Sequence, residues 1–395
     1  MIFYLIIFIL ILLISLRAYI RIKHGFWSIQ PVIHSYDLFK VFYKSGIINN
    51  NLPEINKYCN FLNIQTYKYD NLNTSDIELI QTFVYENYLN NKYSHYKITN
   101  KYFNACFQGH NGSSYLSIYG EDCFSLQEKN NKILIKNIDG VISGRPVNLT
   151  IKNLTKIPVY YIDFLCVSKS KRKRGLASQL IQTHEYNQRH LNKNIKVCLF
   201  KREGDLTGIV PLVIFNNCFF DISTELTSMN TQTYSQIKYV TINKVNFYLF
   251  IDFLIKYYYL FDCVAVVEPN NLLNLIEAKH LFIIVGILNG NIISSFLFKD
   301  YNVIYNKGKV IQLEASLIHP DYLNNITDFF SNSLSYFNKK YLAKHILIES
   351  LSNNVNLLTE LKKLNIFPKS NTMSAFFLYN YSQTPIQPEK SFFLL

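Results

Sequence analysis

The chain has 395 residues, enough for two ordinary domains or one large fused one with a real core. Hydrophobic residues make up 49% and charged ones 17%, so a folded globular protein is expected, and the composition identifies no function. A formal net charge of +13 favours an anionic partner such as nucleic acid, an acidic membrane surface or a polyphosphate cofactor. The 7 Cys are scattered, with no CxxC and no Cys/His pair at metal-ligand spacing, which predicts a reduced compartment and no metal site. Outside residues 169–174 the basic residues are dispersed among apolar and Asn-rich stretches, which argues against a nucleic-acid partner.

Met1 to Leu16 is almost wholly apolar, and the run continues past Arg17 toward the roughly 20 residues that cross a bilayer. The positive charges Arg17, Arg21 and Lys23 follow this run rather than precede it, so the segment reads as an uncleaved anchor with the bulk of the chain on the cytosolic side. His24 to Val32 (HGFWSIQPV) holds the only Trp beside a Pro and reads as an extended arm. Ser75 to Tyr88 has apolar residues at helical spacing behind an Asx/Ser cap. From about Ser114 to Val167, short alternating runs broken by Gly, Asn and Asp predict antiparallel strands and hairpins.

The last of these strands, ending in IDFLCV, runs into the basic loop SKSKRKR and then into LASQLIQTHEYNQRHL, whose Leu176, Leu180, Ile181, His184 and Leu191 line one helical face. The second half repeats the style, with helices near 247–261 and 328–342 and strands near 280–299, 346–350 and 373–381, so an internal duplication is expected. The predicted fold class is α+β.

Arg172 to Ala177 reads Arg-x-x-Gly-x-Ala at the mouth of a helix. Gly175 lets the backbone turn without a Cβ in the way, so loop and first-turn N–H groups can converge on phosphate oxygens, and the helix terminus adds partial positive charge. Arg172, Lys173 and Arg174 supply charge for further phosphates. The alternative for such a run is a solvated basic face, but the strand before it and the helix after it are the context a phosphate cradle requires.

This pattern resembles the signature of the GNAT acyltransferases. Ile162 to Ile181 more specifically resembles the FLCV and basic-loop segment of the protein N-myristoyltransferases, and HGFWSIQPV resembles that family's F-W-x-x-Q-P-V arm. Weaker similarities are ENY at Glu86–Tyr88, FLYNY at Phe377–Tyr381 and the apolar end FFLL; the whole covers about residues 24–395. The resemblance implies two fused GNAT-like halves with mixed, largely antiparallel sheets and flanking helices behind a transmembrane helix. Its divisions are an anchor at 1–20, an acyl-CoA-docking arm at 21–36, an N-terminal domain at 37–230 and a C-terminal domain at 231–395.

It further implies an N-myristoyltransferase-like enzyme that moves a long-chain acyl group, myristoyl by expectation, from acyl-CoA to the N-terminal glycine of proteins, with no metal, as a monomer. The alternatives are a GNAT enzyme with another acyl-CoA or amine, or an inactive acyl-CoA-binding membrane scaffold. Carried over residue by residue, the acyl-CoA site comprises Gly25, Phe26 and Trp27, then Phe164, Leu165, Cys166 and Val167, then Arg172, Lys173, Arg174, Gly175, Leu176 and Ala177. The amides of Phe164 and Leu165 become an oxyanion hole, the α-carboxylate of Leu395 the base that deprotonates the amine, and Tyr88 and Tyr96 acceptor-binding residues. A docked apolar tail is the alternative role for the last residues. The family's acidic run after ENY is replaced here by Leu89 to Tyr93 (LNNKY), and its H-R-S-L-N, A-L-D and G-x-G-D-G segments are absent, so donor features survive better than acceptor features.

Overall fold

The computed structural model describes residues 2–37, 44–88, 94–120, 137–152, 155–204, 208–228 and 236–395. The replaced acidic run at 89–93 and the start of the predicted strand at 132–136 lie outside them.

Helix α1 (Ile2–His24) is mostly exposed where its side chains are described, and is long and apolar enough to cross a membrane. It runs past the predicted end of the anchor, carrying Arg17, Arg21 and Lys23 as part of the helix. The following segment is not the extended arm expected: Gly25–Ile29 forms a 3-10 turn, and only Gln30 onward is extended. The physical reason is Gly25, whose φ of +48° breaks the α-helix but lets the chain coil once more before Pro31 stops it.

The first half continues with β1 (Gly46–Ile47), β2 (Ile64–Lys68), α2 (Thr74–Asn87), β3 (Ser94–Tyr96), α3 (Asn100–Phe107) and β4 (Tyr115–Tyr119). The Asn73 side chain caps α2 by accepting from the Asp76 N–H, as the Asx/Ser signal implied. Then come β5 (Gly140–Ile151), β6 (Thr155–Val167), α4 (Leu176–Leu191), β7 (Val197–Glu203) and β8 (Val213–Asp221). The second half holds α5 (Thr224–Thr227), β9 (Lys238–Thr241), α6 (Phe247–Tyr257), β10 (Cys263–Val266), α7 (Pro269–Glu277), β11 (Leu281–Leu288), β12 (Asn291–Tyr305) and β13 (Gly308–Ile318). It ends with α8 (Ile326–Tyr341), β14 (His345–Glu349), α9 (Asn354–Lys363), β15 (Ser370–Tyr379), β16 (Tyr381–Ser382) and β17 (Ser391–Leu394).

Among the described residues 15 strands join one sheet, in the order β17-β10-β5-β6-β7-β15-β8-β14-β13-β12-β11-β9, with β2 and β4 added beside β5 and β3 beside β12. Two units inside it follow the same plan. An antiparallel hairpin, β5–β6 in one and β12–β13 in the other, is followed by a helix, α4 or α8, and a strand parallel to the second arm, β7 or β14. The units interleave, since β10 and β17 pair beside β5 and β15 lies between β7 and β8.

Both hairpins carry a bulge. Asp163 pairs with Ser143 and Cys166 with Val141, so Phe164 and Leu165 together face Ile142. In the second unit Leu313 pairs with Phe298 and Ala315 with Leu297, which makes Glu314 the extra residue. The sheet brings these two bulges to the walls of one cavity of about 600 Å³.

Candidate active site

Phe164 adopts φ +51°, a left-handed conformation that a bulky residue reaches only under constraint. Three rings hold it there: Tyr88 at 5.6 Å, Phe103 at 5.5 Å and Phe107 at 6.1 Å between centroids. Such strain costs on the order of 1–3 kcal/mol and persists only where packing over-determines it. The bulge turns the Phe164 N–H off the ladder, where it donates to Asp163 Oδ1 at 2.7 Å. The same oxygen accepts from the Tyr88 hydroxyl at 3.1 Å, and burial together with Asp163 keeps that phenol well above its ordinary pKa.

Downstream of β6, Lys173 at φ +64° and Gly175 at φ +79° coil the chain into α4. Gly175 is the N-cap and offers no side-chain bond, so the first N–H groups of α4 are left for a ligand. Arg172, Lys173 and Arg174 are exposed around this opening. Arg172 also braces the loop by donating to the carbonyls of Asn87 at 2.9 Å and Val167 at 3.2 Å, and Lys171 pairs with Asp139 at 2.8 Å.

The aromatic turn before β1 closes over the same region. Trp27 stacks on Phe200 at 5.8 Å, and Phe26 is buried edge-on to Tyr58. Gln30 ties the turn to the body, donating to Gln182 Oε1 at 3.0 Å and accepting from the Tyr379 hydroxyl at 2.7 Å.

At the other end of the cavity, Phe392 to Leu395 are buried, with β17 parallel to β10. Lys299 on β12 donates to the terminal oxygen of Leu395 and to Glu314 Oε1 at 2.7 Å. A second buried pair, Lys201–Glu349 at 2.5 Å, is extended by Gln312, which donates to Glu349 at 2.8 Å. Burial opposes charge on Lys201, yet Glu349 and Glu203 outweigh it and hold its pKa above the ordinary value. His280, stacked on Tyr102 at 3.6 Å, is kept neutral by burial and by the nearby Lys299 and Arg145.

Of the residues singled out from the sequence, Trp27, Tyr88, Tyr96, Phe164, Leu165 and Leu395 share the cavity wall. Arg172 to Ala177 stand outside it at the mouth of α4, Gly25 is exposed at the start of the turn, Phe26 packs edge-on to Trp27 at 5.1 Å, and Cys166 and Val167 pack into the core. Burial pushes the Cys166 thiol up to about 12, so it acts as a small hydrophobe. Sequence reasoning missed Asp163, Arg145, Lys201, Lys299, Glu314 and Glu349. The available signal was a lone charge inside an otherwise apolar strand run, as in FLFKD and IQLEASLI.

Two interleaved hairpin–helix–strand units, each with a bulged hairpin and the first with a basic, glycine-led helix N-terminus, define the GNAT-like fold. Residues 48–208 match the family described as myristoyl-CoA:protein N-myristoyltransferase, N-terminal domain. Two solved structures of Saccharomyces cerevisiae N-myristoyltransferase with bound myristoyl-CoA share the fold. One, at 15% identity and TM-score 0.67, covers 92% of this chain and 94% of its own. The other, at 16% and 0.70, covers 92% and 90%. A third structure of the yeast enzyme, with myristoyl-CoA and inhibitors, covers 94% of each chain at 16% identity and TM-score 0.70. Comparison with curated protein sequences gave no match. The chain is thus similar to the protein N-myristoyltransferases over residues 48–208 and shares the fold of the yeast enzyme along most of its length.

Proposed function

We propose that the protein transfers a long-chain acyl group, myristoyl in the first instance, from acyl-CoA to the N-terminal glycine amine of proteins, and that α1 anchors it to a membrane. The observation that carries the reading is the continuity from the open, basic N-terminus of α4 to the strained Phe164 bulge on the cavity wall. Phosphates suit the first and a thioester carbonyl the second.

In this reading Arg172 to Ala177 hold the pyrophosphate and the Gly25–Trp27 turn covers the bound chain. The thioester carbonyl replaces the Asp163 oxygen on the Phe164 N–H, with the Leu165 amide as second donor. An ammonium must lose its proton before it can attack. The Leu395 carboxylate, held by Lys299, accepts it. The neutral amine then forms the new N–C bond, the oxyanion collapses, the C–S bond breaks, and the remaining extra proton on nitrogen passes to the departing thiolate, leaving the amide and CoA thiol. Tyr88, half-buried, and Tyr96, buried, stand near Asp163 and shape the acceptor side.

Calorimetry of myristoyl-CoA binding tests the donor half. Arg174→Glu opposes the phosphates and Gly175→Val forces a β-branched residue to φ +79°, so each should weaken binding at least tenfold, a loss of about 1.4 kcal/mol. Unchanged affinity in both, in folded protein, would remove the cradle.

A further inference from the structure

Arg145 lies on β5 opposite Tyr161 of β6, and Ser143, two residues back, lies opposite Asp163. Residues two apart on a strand share a face. Arg145, Tyr161 and Asp163 therefore look to one side of the sheet. The intervening Gly144 looks to the other, where a Cβ would meet Gln188 and His184 of α4. The Arg145 side lines the cavity.

The Arg145 side chain is only 4% exposed. Its guanidinium lies over the Tyr161 ring at 5.2 Å, and its enclosed Nη1 has no hydrogen-bond partner among the described residues. None of the described carboxylates forms an ion pair with it, whereas the cavity's lysines, Lys201 and Lys299, are both paired. Asp163 acts on it electrostatically but forms no ion pair or hydrogen bond with it, so the guanidinium lacks an anion in direct contact. A buried cation in that position is costly, and a planar guanidinium is built to take a carboxylate through two bonds at once.

The donor does not supply that anion in the proposed reaction. Its phosphates belong at the mouth of α4, and the end it delivers to the cavity is a neutral thioester on a hydrocarbon chain. We infer that Arg145 is a specificity-determining residue that binds a carboxylate of the acceptor, so that the preferred acceptor carries a carboxylate close to its primary amine. This rests on the acyl-transfer reading above. Two sources share the chemistry: an acidic side chain next to the N-terminal glycine of a peptide, and the α-carboxylate of a free amino acid.

The test uses the full chain with myristoyl-CoA and acceptors in matched pairs, Gly-Asp against Gly-Asn peptides and free glycine against glycinamide. The wild type should favour the acidic member of at least one pair by roughly tenfold or more in kcat/KM, the worth of a charge-assisted hydrogen bond. Which pair responds identifies the source. Arg145→Met should bring that ratio to about one and Arg145→Lys should keep part of it, with myristoyl-CoA affinity unchanged in both as the control for folding. Equal kcat/KM within both pairs, or a preference that persists in Arg145→Met, would overturn the assignment while leaving acyl transfer standing. Acylation of none of the four acceptors would overturn acyl transfer and this inference together.

Discussion

Lys299 is held between the Glu314 carboxylate and the backbone oxygen of Leu395, and all three groups are buried. Removing one partner of such a cluster strands the others in a medium that solvates them poorly. Lys299→Met should therefore lower unfolding free energy by about 3–5 kcal/mol. Adding Glu314→Leu should restore part of the loss, because one stranded charge goes with it. Denaturant titration of the single and double variants measures both, and an unchanged midpoint for Lys299→Met would show that the cluster contributes nothing. Leu395 was singled out only through the family resemblance, and Lys299 and Glu314 were not legible in the sequence, because Lys299 and Leu395 are 96 residues apart and meet only once β17 docks beside β10. Phe164 and Gly175 were legible because their neighbours in space are their neighbours in sequence: one strand, one loop and one helix mouth.

At the scale of elements, the hairpin β5–β6, the loop and α4 were readable from alternation, a basic run and helical periodicity. The turn at Gly25–Ile29 was misread because Pro31 forbids a helix through it but permits a short coil before it. Helix α1 followed from its apolar run, although its end at His24 lies beyond the basic residues. His24 stacks on Tyr36 at 4.7 Å and its ring crowds Gly208, so the last turn of α1 belongs to the folded body. Deleting residues 1–20 keeps this contact and removes the exposed apolar stretch. The truncated protein should move from the membrane pellet to the soluble fraction with acyl transfer intact. Continued sedimentation with membranes would locate the attachment elsewhere, and loss of turnover in a folded, soluble truncation would tie α1 to the chemistry.

For the whole molecule, similar hairpin–helix–strand styles in each half pointed to a duplication, and the structure contains two such units. Their interleaving was not readable, because strand order depends on pairings between distant segments such as β10 with β5 and β15 with β7 and β8. Those pairings put one bulge from each unit on the same cavity: Phe164–Leu165 from the first, Glu314 from the second. The proposed donor cradle and the Phe164 bulge lie in the first unit, while the buried charges beside Leu395 come from β12 and β13. The proposed acyl transfer needs both sides. Incubating the full chain with myristoyl-CoA and a library of Gly-starting peptides, and reading intact peptide masses, tests this most directly. The account predicts one added acyl group per peptide on the N-terminal amine, and much less with Gly175→Val. Peptides that keep their original masses while the protein binds myristoyl-CoA normally would contradict it.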